Sequence, residues 1–210
     1  SQSAANRAKD INTVTPRKKE NLHTFFSLNR SRTDGYRREG KDDFKNTTGF
    51  FKLGYSFGPA LEISADIQVA DATYFHPGTS QLPLENDQRD YFRGRAAFAL
   101  KNSYEKVDGG LFFFYNWGEH QFREGFNSTD INRGFTLYQN IHLFPTNIIT
   151  LGLDFKKFGG VANNENIPPP ARVGFGEKHH MDERDVYISI QQELSDKINL
   201  NGGIRLTNNS

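Results

Sequence analysis

The chain has 210 residues, a formal net charge of +1, a mean hydropathy of −0.71 and no cysteine. Near-neutrality excludes a strongly basic nucleic-acid binder, and the missing thiols exclude disulfides and thiolate metal sites. No apolar run is long enough for a membrane helix and no signal peptide is visible, but a membrane barrel stays open, because its strands hide apolarity in every second residue.

In chain order, alternation of period two predicts strands over 5–15, 21–32, 45–57, 60–74, 89–101, 105–118, 131–143, 147–158, 184–194 and 197–208. In "TGFFKLGYSF", Phe51, Leu53, Tyr55 and Phe57 oppose Phe50, Lys52, Gly54 and Ser56. In "PALEISADIQVADATYF", Leu61, Ile63, Ala65, Ile67 and Val69 oppose Glu62, Ser64, Asp66 and Gln68. "VDGGLFFFYNW" sets Leu111, Phe113, Tyr115 and Trp117 on one side, and "NIITLGLDFKK" does the same with Ile149, Leu151, Leu153 and Phe155. Val186, Ile188 and Ile190 continue the pattern, as do Ile198, Leu200, Ile204 and Leu206. Many of these stretches are near a dozen residues. Soluble strands average about five or six, whereas membrane barrel strands need roughly nine to eleven. All eight prolines fall outside the predicted strands, as expected of a residue that cannot donate to a ladder.

The links between strands alternate in length. "PRKKEN", "FGPA", "LKNSYEK", "FPTN" and "LSDKI" are tight, while "SRTDGYRREGKDDFKN", "FHPGTSQLPLENDQ", "GEHQFREGFNSTD" and "GGVANNENIPPPARVGFGEKHHMDE" are long. Short turns on one side and long loops on the other are expected of an outer-membrane barrel. Aromatic residues sit at both ends of the apolar stripes: Tyr55, Phe57 and Phe144 near short turns, Tyr115, Trp117 and Phe158 near long loops. Aliphatic residues fill the middles, an arrangement of two interfacial girdles around an apolar band. The predicted fold is therefore all-β: an antiparallel up-and-down meander of about ten long strands, part of a transmembrane β-barrel. Glu62, Asp66 and Gln68 are expected to face a watery lumen.

The strings "SLNRSRTDGYR", "GFFKLGYSFGPALEISADI", "GGLFFFYNWGEHQF", "ITLGLDFKKFGG" and "LSDKINLNGGIRLTNNS" resemble the barrel of TonB-dependent outer-membrane receptors, closest in flavour to those of Bacteroides-like bacteria. The resemblance runs from about Ala5 to Ser210. It implies a barrel of about twenty-two strands filled by an N-terminal plug that contacts TonB, and uptake of scarce nutrients such as iron complexes, haem or cobalamin. Residues 1–210 are then expected to form one partial barrel domain, an excised middle piece without the plug. The implied location is the bacterial outer membrane, with loops on the cell surface. The implied partners are a small-molecule nutrient, TonB through the absent plug, and outer-membrane lipid. Two open sheet edges would also invite self-association of the fragment.

No phosphate loop, HExxH or GxSxG is present, so no catalytic residue, cofactor or metal site is expected, and no nucleic-acid partner. The candidate ligand contacts lie on the long links: Tyr36, Arg37, Tyr74, His76, His120, His179 and His180. Aromatic rings could stack on a ligand, and Arg37 in "YRREGKDD", followed by Arg38, could meet an anion. His179 and His180 are a poor chelate, since neighbours in extended chain point opposite ways. Two rival readings remain at this point. One is a soluble or surface β-sheet binding protein with its apolar faces buried inward. The other is an outer-membrane hydrolase, for which Ser128, His120 and Asp130 share a link but no spacing rule joins them.

Overall fold

The computed structural model describes residues 8–210 except 38, 39, 145, 169, 170, 172, 173 and 196. The described residues hold ten strands and no helix. The strands are β1 Ala8–Lys19, β2 Leu22–Thr33, β3 Phe44–Ser56, β4 Leu61–Phe75 and β5 Gln88–Ser103. They continue as β6 Val107–Phe122, β7 Phe126–Ile141, β8 Asn147–Asn164, β9 His179–Ser195 and β10 Ile198–Asn209. Each pairs antiparallel with its neighbour in sequence, in the order β1 to β10. The sheet is not closed: β1 and β10 each keep one unpaired side.

The alternation becomes two faces. One register row reads Tyr55, Ile63, Leu100, Leu111, Leu137, Leu153, Val186 and Leu206, from β3 to β10. The next row holds Phe98, Phe113, Phe135 and Phe155, whose ring centroids follow one another at 6.3, 5.8 and 6.0 Å. Tilted rings at this spacing add attraction beyond buried area. This is the convex face, where side chains splay apart: Ile67, Phe113 and Leu151 are each 45% exposed. The opposite face is concave and shades its side chains. There the carboxylate-bearing Asp185 is 3% exposed, while no hydrophobic residue is buried among the described residues. Exposed apolar groups with shaded charges invert the order of a water-soluble domain. The concave face is not purely polar, since Phe25 stacks edgewise on Phe50 and Phe112 lies parallel to Tyr138.

Four expectations change. Pro16 lies inside β1, opposite Phe25, rather than in a turn; β1 is an edge strand, where a missing N–H can face the open side. The link expected over 118–130 is a tight turn at 123–125, so the alternation of short and long links is not strict. Phe158 belongs to the concave face, three residues along β8 from the convex Phe155, and is no part of a girdle. The long-loop ends of β6 to β9 reach further than predicted, to Phe122, Phe126, Asn164 and His179, because ladders continue where the convex face turns polar, as at Glu119, Gln121, Asn127 and Thr129, and the apolar alternation fades. The predicted start of the first strand, over 5–7, lies outside the described residues, as do Arg38 and much of "IPPPARV".

Candidate ligand-binding rim

At the long-loop end, links 34–43 and 76–87 are laced together. Lys41 N donates to Leu84 O at 2.8 Å, Phe75 N to Asp43 O at 3.0 Å, and the Arg37 guanidinium to Gly78 O at 2.8 Å. The Asp42 carboxylate accepts from the N–H groups of Tyr36 and Arg37 at 3.0 and 3.3 Å, closing the first link on itself. The Lys41 ammonium stands 3.5 Å from the Phe75 ring centroid, a cation–π contact. Gly40 has φ +77°, and a Cβ there would meet Pro77 O at 2.3 Å, so only glycine lets the two backbones close. Tyr36 projects from this pair of loops, 80% exposed. His76 is exposed, its Nδ1 accepting from Gly78 N at 3.3 Å and lying 3.5 Å from the Asp87 carboxylate.

Below the loops, β4 to β7 present a connected cluster on the concave face. Tyr74 and Tyr91 stack at 5.5 Å with their hydroxyls 3.1 Å apart. Tyr91 also meets His120 at 4.7 Å and Phe122 at 5.7 Å, and the Arg89 guanidinium covers Phe122 at 4.9 Å. Period two produces this arrangement: Tyr91 and Arg93 sit opposite His120 and Gly118, which sit opposite Ser128 and Asp130.

Arg93 decides the chemistry of the cluster. Its Nη1 donates to Asp130 Oδ2 at 2.7 Å and its Nη2 lies 2.8 Å from His120 Nε2. A guanidinium only donates, so Nε2 accepts and the ring proton resides on Nδ1. That Nδ1, 3.3 Å from Ser128 Oγ, therefore donates to the hydroxyl. Asp130 orients Arg93, not the histidine. A serine that accepts from histidine is the reverse of a nucleophile activated by a base, so the geometry of Ser128, His120 and Asp130 is not that of a catalytic triad.

Of the seven residues singled out from sequence, Tyr74 and His120 meet through Tyr91. Tyr36, Arg37 and His76 sit on the laced loops above them. His179 and His180 open β9 and face opposite sides of the sheet. His179 shares the concave row of Arg93 and Asp130, with Gly118 and Gly160 between them, and the Arg93 guanidinium and Asp130 carboxylate fill the space over Gly118. Among the described residues no group of three His, Asp or Glu could hold a metal ion. Tyr91, Arg93 and Arg89 were not anticipated. Their signal is the spacing of Arg89, Tyr91, Arg93 and Arg95, every second residue of β5, on the polar face of a strand.

No family model and no curated protein sequence matches the chain. Among solved structures it is similar to the siderophore receptor PirA from Pseudomonas aeruginosa, with TM-score 0.71 and 15% identity over 98% of this chain and 34% of that one. It is similar also to the FrpB iron transporter from Neisseria meningitidis, with TM-score 0.75 and 13% identity over 98% of this chain and 42% of that one. The copper transporter OprC gives TM-score 0.67 and 12% identity over 96% of this chain and 36% of that one. The fold is thus that of part of these structures, and the chain spans between a third and about two-fifths of their length.

Proposed function

We propose that the chain is barrel wall from an outer-membrane receptor that takes up a scarce small-molecule nutrient, an iron complex, haem, cobalamin or a similar compound. Residues 1–210 belong to a larger barrel domain, and TonB drives entry through a plug contributed by the whole protein. The observation that carries this reading is the inverted sheet: an apolar convex face beside a concave face that shades its charges. Lipid satisfies the first and a watery lumen the second. The absence of a second layer over the apolar face, among the described residues, weighs against the soluble reading, which buries that face inward. The outer rim is where a ligand would arrive. Tyr74, Tyr91 and His120 offer stacking surface, and Arg93 and Arg89, each held by a carboxylate of Asp130 or Asp87, offer their remaining N–H donors to an anionic group. Tyr36, Arg37, His76 and His179 border the same mouth, whereas His180 faces the convex side.

The test uses the full-length protein. Ferric siderophores, haem and cobalamin are titrated against the purified receptor, and the same titrations are run on Tyr91→Ala combined with Arg93→Gln, and on a protein with 165–178 shortened. The expected result is binding of one class, weakened roughly tenfold or more by the double substitution, with barrel assembly retained. Unchanged binding in every variant sinks the rim assignment. Extraction into water without detergent sinks the membrane reading itself.

A further inference from the structure

The convex face carries a group of cations that the lumen chemistry does not use. Arg133 on β7 and Lys157 on β8 continue the register row of Ile67, Ala96 and Tyr115, and Arg184 continues the row of the four phenylalanines. All three therefore point to the side of the apolar band. Counted from the short-turn ends Ile141, Asn147 and Ser195, they stand roughly nine to twelve residues up their strands, about the length a tilted strand needs to cross a bilayer. Trp117 stands at a similar height on β6. Their level is the outer interface, where the cost of an outward cation falls away.

Lys157 is paired, its Nζ 3.1 Å from Asp182 Oδ1. Arg133 and Arg184 have no side-chain hydrogen bond or ion pair among the described residues. A cleft of about 570 Å³ opens here, lined by Arg133, Lys157, Lys178 and His180. Gly159 lies between Ile131 and His180 on this side, where a Cβ would run into His179 O at 2.2 Å, so glycine lets β9 approach closely beside the cleft. Directly below, Arg133 also caps an apolar groove of about 440 Å³ lined by Phe98, Phe113, Tyr115, Phe135 and Phe155. A cationic cleft above an apolar groove is complementary to one kind of molecule, an amphiphile with an anionic head and an alkyl chain.

We infer that this surface binds a phosphate-bearing lipid of the outer leaflet, with its head group between Arg133 and Arg184 at the foot of the cleft that Lys178 lines higher up, and an acyl chain along the phenylalanine groove. The inference rests on the reading of the convex face as the membrane face. Guanidinium forks suit phosphate oxygens, and each basic residue near a membrane surface adds measurably to attraction for anionic lipid.

The test is native mass spectrometry of the full-length protein in mild detergent, with phosphatidylglycerol or phosphatidylcholine of the same acyl chains added at equal concentration. The wild type is expected to retain phosphatidylglycerol about tenfold or more over phosphatidylcholine. Arg133→Gln with Arg184→Gln should abolish that preference, and Arg133→Lys with Arg184→Lys should keep most of it, which separates lost charge from lost fold. Equal retention of both lipids, or an unchanged preference in the Gln variant, overturns the inference. Displacement of the lipid by inorganic phosphate alone overturns it too, since the site would then be one for soluble anions. A second arm uses lipids brominated on the acyl chain and compares fluorescence quenching of the wild type with that of Trp117→Phe. No quenching assigned to Trp117 means the convex face is not in lipid, and the proposed function fails. Quenching without head-group preference means that only the lipid site fails.

Discussion

Gly94 on β5 has no side chain, and the Trp117 indole occupies its place. A Cβ built at Gly94 would fall 2.1 Å from two ring atoms of Trp117, the residue directly opposite on β6. The ring thereby covers Gly94 on the convex face. Gly94→Val must push the indole off the sheet, with an overpacking cost of about 1–3 kcal/mol. Urea unfolding of the full-length protein in detergent micelles checks this: the midpoint should drop for Gly94→Val and recover in the background of Trp117→Ala, where no ring competes for the space. Equal losses in both backgrounds would mean the two residues do not interact. Arg93 illustrates the same principle on the other face. One side chain, by donating to both Asp130 and His120, fixes a tautomer that no motif search would have revealed.

Two of the outer links behave as one element. Link 34–43 is fastened to link 76–87 by Lys41 N to Leu84 O, by Gly40 N to the Glu85 carboxylate at 3.1 Å and by the Arg37 guanidinium. Shortening 76–87 removes all three contacts. With about 0.5–1.5 kcal/mol for each net hydrogen bond, the local stability of 34–43 should fall by a few kcal/mol. Amide hydrogen exchange should then speed up roughly tenfold or more across 34–43, whereas shortening 165–178 should leave those amides unchanged. Exchange that is the same in both deletions would refute the coupling. This coupling was beyond reach of the sequence, which carries no sign of which loops touch. The strand cores were legible because one face is apolar along Leu61, Ile63, Ile67 and Val69 while the other is polar. Their outer ends were not, because "HQFREGFNSTD" has no apolar stripe on the convex side and reads as loop, although Phe122 and Phe126 meet on the concave face and Gln121 and Asn127 pair across a three-residue turn. For the same reason His120 was recognisable as a rim residue but not as the partner of Tyr91, Arg93 and Ser128: those contacts follow from register, which hydrophobic pattern sets only where one face is dry.

The two free edges of the sheet are unlike each other. The convex side of β1 offers Lys9, Thr13, Thr15, Arg17 and Lys19 around a single Ile11, and Pro16 lies within the strand, so charge and a missing donor blunt this edge. β10 has neither protection. Its convex residues Ile204 and Leu206 are 68% and 70% exposed. The strand is held straight from behind by Arg205, which reaches Asp154 at 2.9 Å and also bonds Asp185. An extended, apolar, unpaired strand is a template for pairing. Residues 1–210 expressed alone should therefore self-associate through β10 and give dimers or larger species in detergent by light scattering, with a share that grows with concentration. The ladder identifies a variant that spares the fold. Asp182 and Ser210 exchange both backbone bonds, so in the regular part of β10 every second residue back from Ser210 bonds to β9, and the N–H groups of Asn201 and Gly203 point to the open side. A Cβ at Gly203 would stand 2.9 Å from Ile188 O, so the proline goes to Asn201 alone, where it removes a donor from the free edge while leaving the β9 ladder intact. Asn201→Pro should shift the population toward monomer at a concentration where the parent chain is dimeric. Association that persists in the proline variant would move the contact to β1 or to the convex face, and a parent chain that stays monomeric at every concentration would contradict the edge argument altogether.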